Sequence, residues 1–244
     1  IVNGLILAED GRKMSKSLRN YPDPDEVVNT HGADALRAYL INSPVVRAEP
    51  MRFSERGVRE VVRSVILPLY NATSFFLTYA SVEKWEPPAY ASPVAERALM
   101  DRWVLSMVQS LVRDVNEEME AYRLYRTVPA MVQFVEKLTN WYIRRNRRRF
   151  WRSRDASDTD KTAAYQTLYE VLLTLCKALA PFIPFLTERM YQNLVVSSGP
   201  EPEVRQEVAE MSAQLGISES RSSANLGYPP QSVHLCEFPL PDEA

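Results

Sequence analysis

Histidine and cysteine are almost missing from this chain, with two of each among 244 residues. Two cysteines, Cys176 and Cys236, are too few for a disulfide framework or a cysteine zinc site. No metal-ligand set can be assembled from the histidines either. Cys176 falls in an apolar helical pattern and reads as a core thiol. Charge of one sign is also missing: the formal net charge is −2. The chain as a whole therefore exerts no pull on nucleic acid, and any such binding must come from local clustering. No signal peptide and no apolar run of membrane-spanning length is evident, so no membrane partner is expected and the expected location is the cytoplasm. Hydrophobic residues make up 45% of the chain, enough for one or two sizeable cores.

Against this plain background, Lys13-Met14-Ser15-Lys16-Ser17 stands out. It follows a stretch carrying Gly4 and Gly11 that reads as a β-hairpin. Two ammonium groups and two hydroxyls share a short loop with no carboxylate between them. Such a loop can wrap a polyphosphate, with the ammoniums as mobile point charges and hydroxyls and backbone N–H groups filling the other acceptor sites. A bare Lys-x-x-Lys is most often a solvated loop, but the full pentapeptide in this setting is much more specific.

The rest of the chain is helical in pattern. Asp23-Pro24-Asp25-Glu26 is a helix start, with an Asp cap, Pro in the first turn and acids near the positive end. That helix should stop at His31-Gly32, and a second should run from Ala33 to before Pro44. From Ser54 onward, Val58, Val61, Val62, Val65, Ile66 and Leu69 mark one helix face, with Pro68 predicting a kink. Residues 83–93 read as a linker. A long helix follows with Met100, Trp103, Val104, Met107, Val108, Leu111 and Val115 on its buried face. Thr127-Val128-Pro129 opens another that runs to about Arg152. A further helix begins near Asp160 and breaks at Pro181 and Pro184 before a short last one. This predicts an up-and-down bundle of four or five helices. Residues 197–231 are rich in Ser, Glu, Pro and Gly and read as a surface insertion. Ser232–Phe238 should return, extended, to the bundle.

Arginine is concentrated in one place: Arg144, Arg145, Arg147, Arg148, Arg149, Arg152 and Arg154 put seven guanidiniums into eleven residues. At about 100° per residue, Arg144, Arg145, Arg148, Arg149 and Arg152 share one arc, with Arg147 and Arg154 outside it. Leu138 and Tyr142 fall on the same side upstream, so the C-terminal half of this helix should leave the core. Phe150 and Trp151 interleave with the cations and could stack on bases or anchor the helix; Trp141 and Tyr142 read as core. Two readings stay open. Dipole stabilisation and pairing with Glu117, Glu118, Glu120 and Glu136 would make the arginines structural. A close-packed ridge of like charge would otherwise serve RNA phosphates.

The loop continues into Leu18-Arg19-Asn20-Tyr21-Pro22-Asp23-Pro24, then Gly32-Ala33-Asp34-Ala35-Leu36-Arg37 and Asn42-Ser43-Pro44-Val45-Val46-Arg47-Ala48-Glu49. Further on stand Leu67-Pro68-Leu69-Tyr70-Asn71-Ala72, Asn140-Trp141-Tyr142-Ile143-Arg144-Arg145-Asn146 and Ser232-Val233-His234-Leu235-Cys236-Glu237-Phe238-Pro239. Together these resemble the isoleucyl branch of the class I aminoacyl-tRNA synthetases, most of all its eukaryotic-type members. The resemblance covers residues 1–195 and resumes at Ser232.

The resemblance implies a mainly α fold: the anticodon-binding helical bundle of class I synthetases over residues 54–196, preceded in 1–53 by the end of the catalytic domain with its β-hairpin and signature loop. Residues 197–231 are then an insertion, and 232–244 a return segment and chain end. It further implies that Lys16 is the main pyrophosphate contact with Lys13 assisting, and that Lys13, Met14, Ser15, Lys16 and Ser17 form an ATP-binding loop. Arg144, Arg145, Arg148, Arg149 and Arg152 become candidates for holding isoleucine tRNA. ATP with Mg2+, and isoleucine, are implied for the whole enzyme, with no metal bound by this part. No His-Ile-Gly-His motif occurs; His31-Gly32-Ala33-Asp34 is no substitute. Nucleotide-binding sheet, amino-acid pocket and editing domain are likewise not recognisable. The chain, which starts at Ile1 partway through a strand, is thus expected to be an inactive piece of a longer ligase. A valyl-tRNA synthetase piece and a non-enzymatic helical interaction module are the alternatives.

Overall fold

In a computed structural model the described residues are 2–87, 92–151, 159–196 and 230–241. Arg152, Arg154 and nearly all of the expected 197–231 insertion lie outside them, as do residues 88–91 and 242–244.

The N-terminal segment is small and locally tight. Strand β1 (Ile6–Leu7) pairs in parallel with β2 (Met51–Arg52). The expected hairpin is reduced to one antiparallel bridge, Leu7 to Lys13, around a turn in which Ala8 N–H donates to Arg12 O at 2.9 Å. Gly11 closes that turn at φ +85°, a conformation that costs other residues. The partner of β1 comes from forty-five residues downstream, and no local alternation could have revealed it. Gly4 allows that approach: a Cβ there would sit 1.9 Å from the Glu49 carbonyl oxygen.

Helix α1 (Pro24–His31) starts as its sequence dictates, with the Asp23 carboxylate accepting the Asp25 N–H at 2.9 Å. It ends at Gly32, φ +88°, and α2 (Ala33–Ile41) follows directly. Helix α3 (Glu55–Val61) then runs through a π-turn (Val62–Ile66) into α4 (Leu67–Glu83). The π-turn lies just before Pro68, where the ladder must in any case lose one donor. This composite helix is, by length and composition alone, apolar enough to cross a membrane, contrary to expectation. One face nevertheless carries exposed Arg56, Arg59, Glu60 and Arg63, while Val58, Val65, Leu69, Ala72 and Phe76 are buried against its neighbours.

The remaining helices complete the bundle. They are α5 (Leu99–Glu120), α6 (Thr127–Lys137), α7 (Arg144–Trp151), α8 (Thr159–Leu179) and α9 (Pro184–Tyr191). A second π-turn, Leu138–Ile143, joins α6 to α7 without a break. Helix α5 is the hub and packs on both α6 and α8. At the centre, Val112, Val135, Leu138, Leu168, Leu172 and Leu175 are fully buried. An aromatic cluster seals one end: Phe150 lies 5.0 Å from Tyr165 and 5.2 Å from Phe75, and Trp85 stacks on Tyr165 at 6.0 Å. Trp85 thereby anchors the start of the 83–93 stretch, which is clamped at its other end by Arg97, paired with Glu170 at 2.6 Å. Cys176 is fully buried as expected, and burial pushes its thiol well above the ordinary range.

The return segment packs on α9, but as a 3₁₀ turn (Val233–Leu235) rather than an extended strand. Glu188 on α9 holds it, accepting from Ser232 Oγ at 2.9 Å and Val233 N–H at 3.0 Å. Burial alone would raise the Glu188 carboxyl, but bonds from Gln192, Ser232 and Val233 outweigh it and hold it below its ordinary value of 4.5. A carboxyl depressed by folding stabilises the folded form above its unfolded pKa, and that contribution is lost as pH falls through the folded value. Hydrogen-exchange protection at Val233 should therefore fall below pH 4.5 faster than protection in α8, and Glu188→Gln should abolish the difference. Equal pH profiles at the two places would refute the clasp.

Candidate nucleic-acid interface and phosphate loop

The loop is closed by a residue the sequence reading did not single out. Asn20 accepts the Ser15 N–H at 2.9 Å through its side-chain oxygen and donates its amide to the Lys13 carbonyl at 3.1 Å. One side chain thus ties the first half of the pentapeptide, Lys13 to Ser15, back to the chain that follows it. Within the loop, Ser15 Oγ and Ser17 Oγ lie 2.8 Å apart. Lys13 and Lys16 are exposed, Met14 is half-buried, and neither ammonium has a carboxylate partner among the described residues. The result is a pre-shaped backbone cradle with two cations free to move.

The arginine helix divides into two sets. Leu138, Tyr142, Asn146 and Phe150 follow one another at intervals of four, and all are buried. A uniform α-helix would drift by about 40° at each such step; the wider turn at Leu138–Ile143 keeps them on one face. The helix consequently stays on the bundle through Phe150, where it was expected to leave it. Arg149 falls at the edge of this buried face, and its guanidinium is taken up internally. It donates twice to Asp101, at 2.8 and 2.7 Å, and to Asp160 at 2.6 Å. Asp101 is fully buried and also accepts the Tyr142 hydroxyl at 2.7 Å. Burial and the adjacent carboxylate raise the Tyr142 hydroxyl far above its usual range, so it stays a neutral donor. Burial acts to lower the Arg149 pKa, but Asp101 and Asp160 more than reverse it.

Arg144, Arg145, Arg147 and Arg148 form the outward set. All are exposed, and none holds a carboxylate among the described residues. Of the glutamates that might have neutralised them, Glu118 pairs instead with Arg123 and Arg126. Arg145 lies 4.3 Å over the ring of Trp141, which is half exposed and not a core residue. Arg147, outside the predicted arc, lies 5.5 Å from the Trp151 ring. Arg144 and Arg147 border an open groove of about 400 Å³ between α4 and the second π-turn, with Asn71, Phe75, Asn140 and Ile143 along it. The groove combines two amides that have no side-chain hydrogen bond among the described residues, an aromatic edge and two cations. That donor set suits a planar, hydrogen-bonding group attached to phosphate.

Comparison with known proteins agrees with this geometry. Residues 101–244 match the anticodon-binding domain of tRNA ligase, and residues 1–52 match the class I tRNA synthetases (I, L, M and V). The chain belongs to the anticodon-binding domain family of the tRNA ligases. Among its relatives are isoleucine–tRNA ligases. That of Chlamydia muridarum is 47% identical over 98% of this chain and 20% of its own length. That of Bdellovibrio bacteriovorus is 53% identical over 80% of this chain and 18% of its own. The chain therefore spans about a fifth of these relatives. The fold is shared with the Mycobacterium tuberculosis methionyl-tRNA synthetase solved with methionyl-adenylate. The TM-score is 0.64 at 18% identity, covering 98% of this chain and 42% of that one. It is shared too with an Agrobacterium radiobacter LeuRS solved with tRNA and LeuAMS, at TM-score 0.57 and 21% identity over 79% of this chain and 22% of that one.

The two arginine sets should respond differently to truncation. Arg149→Ala leaves Asp101 buried without its counter-ion and should cost about 3–5 kcal/mol in urea denaturation. Arg148→Ala should cost less than about 0.5 kcal/mol. Comparable losses would contradict the division.

Proposed function

We propose that this chain is a segment of an isoleucine–tRNA ligase, which activates isoleucine with ATP and then transfers it to isoleucine tRNA. The observation carrying the reading is the coexistence of unpaired ammoniums on the Asn20-closed loop and unpaired guanidiniums beside the groove, in a chain about half identical to such ligases. In this reading residues 1–53 complete a catalytic domain, 54–196 are the anticodon-binding bundle, and 232–244 a return segment. The location is cytoplasmic.

In activation, the isoleucine carboxylate attacks the α-phosphorus of ATP, and the bond to pyrophosphate breaks. Negative charge gathers on the leaving pyrophosphate. Lys16, assisted by Lys13, stabilises it there more than in the ground state, which is what lowers the barrier. Ser15 and Ser17 shape the loop, and its exposure lets it open for pyrophosphate release. Among the described residues no cluster of metal ligands occurs. Mg2+ would arrive on the ATP phosphates, where it neutralises charge, and the chain's own contribution is that of its lysines. Lys16→Ala in the full-length protein should reduce isoleucine-dependent ATP–pyrophosphate exchange by about a hundredfold or more. Unchanged exchange would remove the loop from the chemistry.

At the bundle, Arg144, Arg145 and Arg148, joined by Arg147, hold RNA phosphates, and the groove takes a base splayed from the anticodon loop. Arg149 supports the ridge from within. Binding of isoleucine tRNA should weaken steeply with salt, and each of Arg144→Ala and Arg148→Ala should lower the slope by about one. A changed anticodon should bind more weakly. Salt-independent binding, or none, would refute the interface.

A further inference from the structure

The motif Gly32-Ala33-Asp34-Ala35-Leu36-Arg37 is not used by either site, yet it spans the joint between them. Asp34 and Arg37 are three residues apart on α2 and so share one face. Both reach across about 150 positions in sequence to a single corner of the bundle, where α8 ends and α9 begins. The Asp34 carboxylate, almost fully buried, accepts the backbone N–H of Phe185 at 3.2 Å and of Leu186 at 2.7 Å. Arg37 donates through Nε and a terminal nitrogen to the Pro181 carbonyl, at 3.1 and 2.9 Å.

The chemistry of this contact is complementary at each end. Helix α9 opens with Pro184, which has no N–H, so Phe185 and Leu186 carry its first orphan donors. A carboxylate satisfies them and faces the positive end of the helix dipole. The Pro181 carbonyl lies just beyond the negative end of α8, and a guanidinium meets it. The corner itself is stiff: Phe182 and Ile183 are each 2% exposed, between two prolines. The clamp therefore joins a rigid point of the bundle to α2, which lies in the same short segment as the phosphate loop. The other polar links of that segment to the bundle among the described contacts are the His31–Glu55 pair at 2.9 Å and the Tyr39 hydroxyl accepting the Ser54 N–H at 3.1 Å, both beside the covalent connection, and the exposed stacking of Arg47 on Tyr125 at 4.8 Å.

We propose that Asp34 and Arg37 are positioning residues that fix the loop-bearing segment relative to the arginine ridge, so that tRNA held on the bundle is registered with the chemistry at the loop. This rests on the ligase reading above. Both side chains are occupied by the backbone of the Pro181–Leu186 corner and are not among the groups assigned above to ATP or RNA. Their loss should leave amino-acid activation intact, because that step needs the loop and not the bundle. It should lower the transfer step, because a small misplacement of one reactant against the other costs one to two orders of magnitude in rate.

The test uses the full-length protein and three variants, Asp34→Ala, Asp34→Asn and Arg37→Ala. Arg37 is exposed, so its truncation keeps the test open should Asp34→Ala unfold. Isoleucine-dependent pyrophosphate exchange and steady-state charging of isoleucine tRNA are measured side by side, with KM and kcat separated. The expected result is exchange within about twofold of wild type and charging kcat down roughly tenfold or more, at nearly unchanged KM for tRNA. Asp34→Asn, which keeps an acceptor, should recover part of the loss. Parallel loss of both activities by Arg37→Ala would make the clamp merely structural, and unchanged charging would make it irrelevant; either overturns the proposal. A wild-type protein that charges no isoleucine tRNA would instead overturn the ligase reading itself.

Discussion

The contact on which the rest of this molecule depends is the bidentate pair of Asp101 and Arg149. A carboxylate in the first turn of α5 is fully buried, and one guanidinium, bridging to Asp160 at the start of α8, neutralises it. Removing both charges from water is costly, and geometry of this quality with the Tyr142 hydroxyl filling a remaining lone pair is what offsets that cost. Three helices are thereby fixed at one point: α5 through Asp101, α7 through Arg149 and α8 through Asp160. The orientation of α7 about its own axis follows. Arg149 lies at the edge of the buried face and turns inward, while Arg144, Arg145 and Arg148, on the adjoining arc, are exposed.

This constraint explains how so many like charges are tolerated on one helix. Four exposed guanidiniums without carboxylate partners among the described residues raise the local potential, while the chain as a whole is nearly neutral. Neutrality overall with one concentrated basic surface directs an anionic polymer to a single place and suppresses sticking elsewhere. The π-turn contributes as well. It keeps Leu138 and Tyr142 in the core and leaves Thr139 and Asn140 on the groove, so packing and presentation are met by the same six residues.

Much of this was legible in the residues. Helix limits at Asp23, Gly32, Pro181 and Pro184 follow from capping and from missing donors, which act locally. The apolar positions of α3–α4 and α5 were readable from periodicity for the same reason. What failed to show was long-range or aperiodic. The β1–β2 pairing joins two dipeptides with no alternation, and the π-turn shifts the helical phase by an amount no fixed angle per residue can supply. Arg149 was therefore placed with the outward cations, Trp141 with the core, and Arg147 apart from the site. Asp101 sat unnoticed because a single acid beside an apolar face looks like a solvated one until its partner, forty-eight residues away, is known. In the same way nothing near Asp34 and Arg37 in the sequence points to their partners, which lie about 150 positions away at the Pro181 corner.

The division of the arginine helix is tested most directly by chemical modification of arginine with phenylglyoxal, read residue by residue by mass spectrometry, with and without isoleucine tRNA. The account predicts that Arg144, Arg145, Arg147 and Arg148 react in the free protein and are protected by the tRNA, while Arg149 stays unreactive in both states. Rapid modification of Arg149 in the free protein, or tRNA binding that leaves the other four as reactive as before, would contradict it.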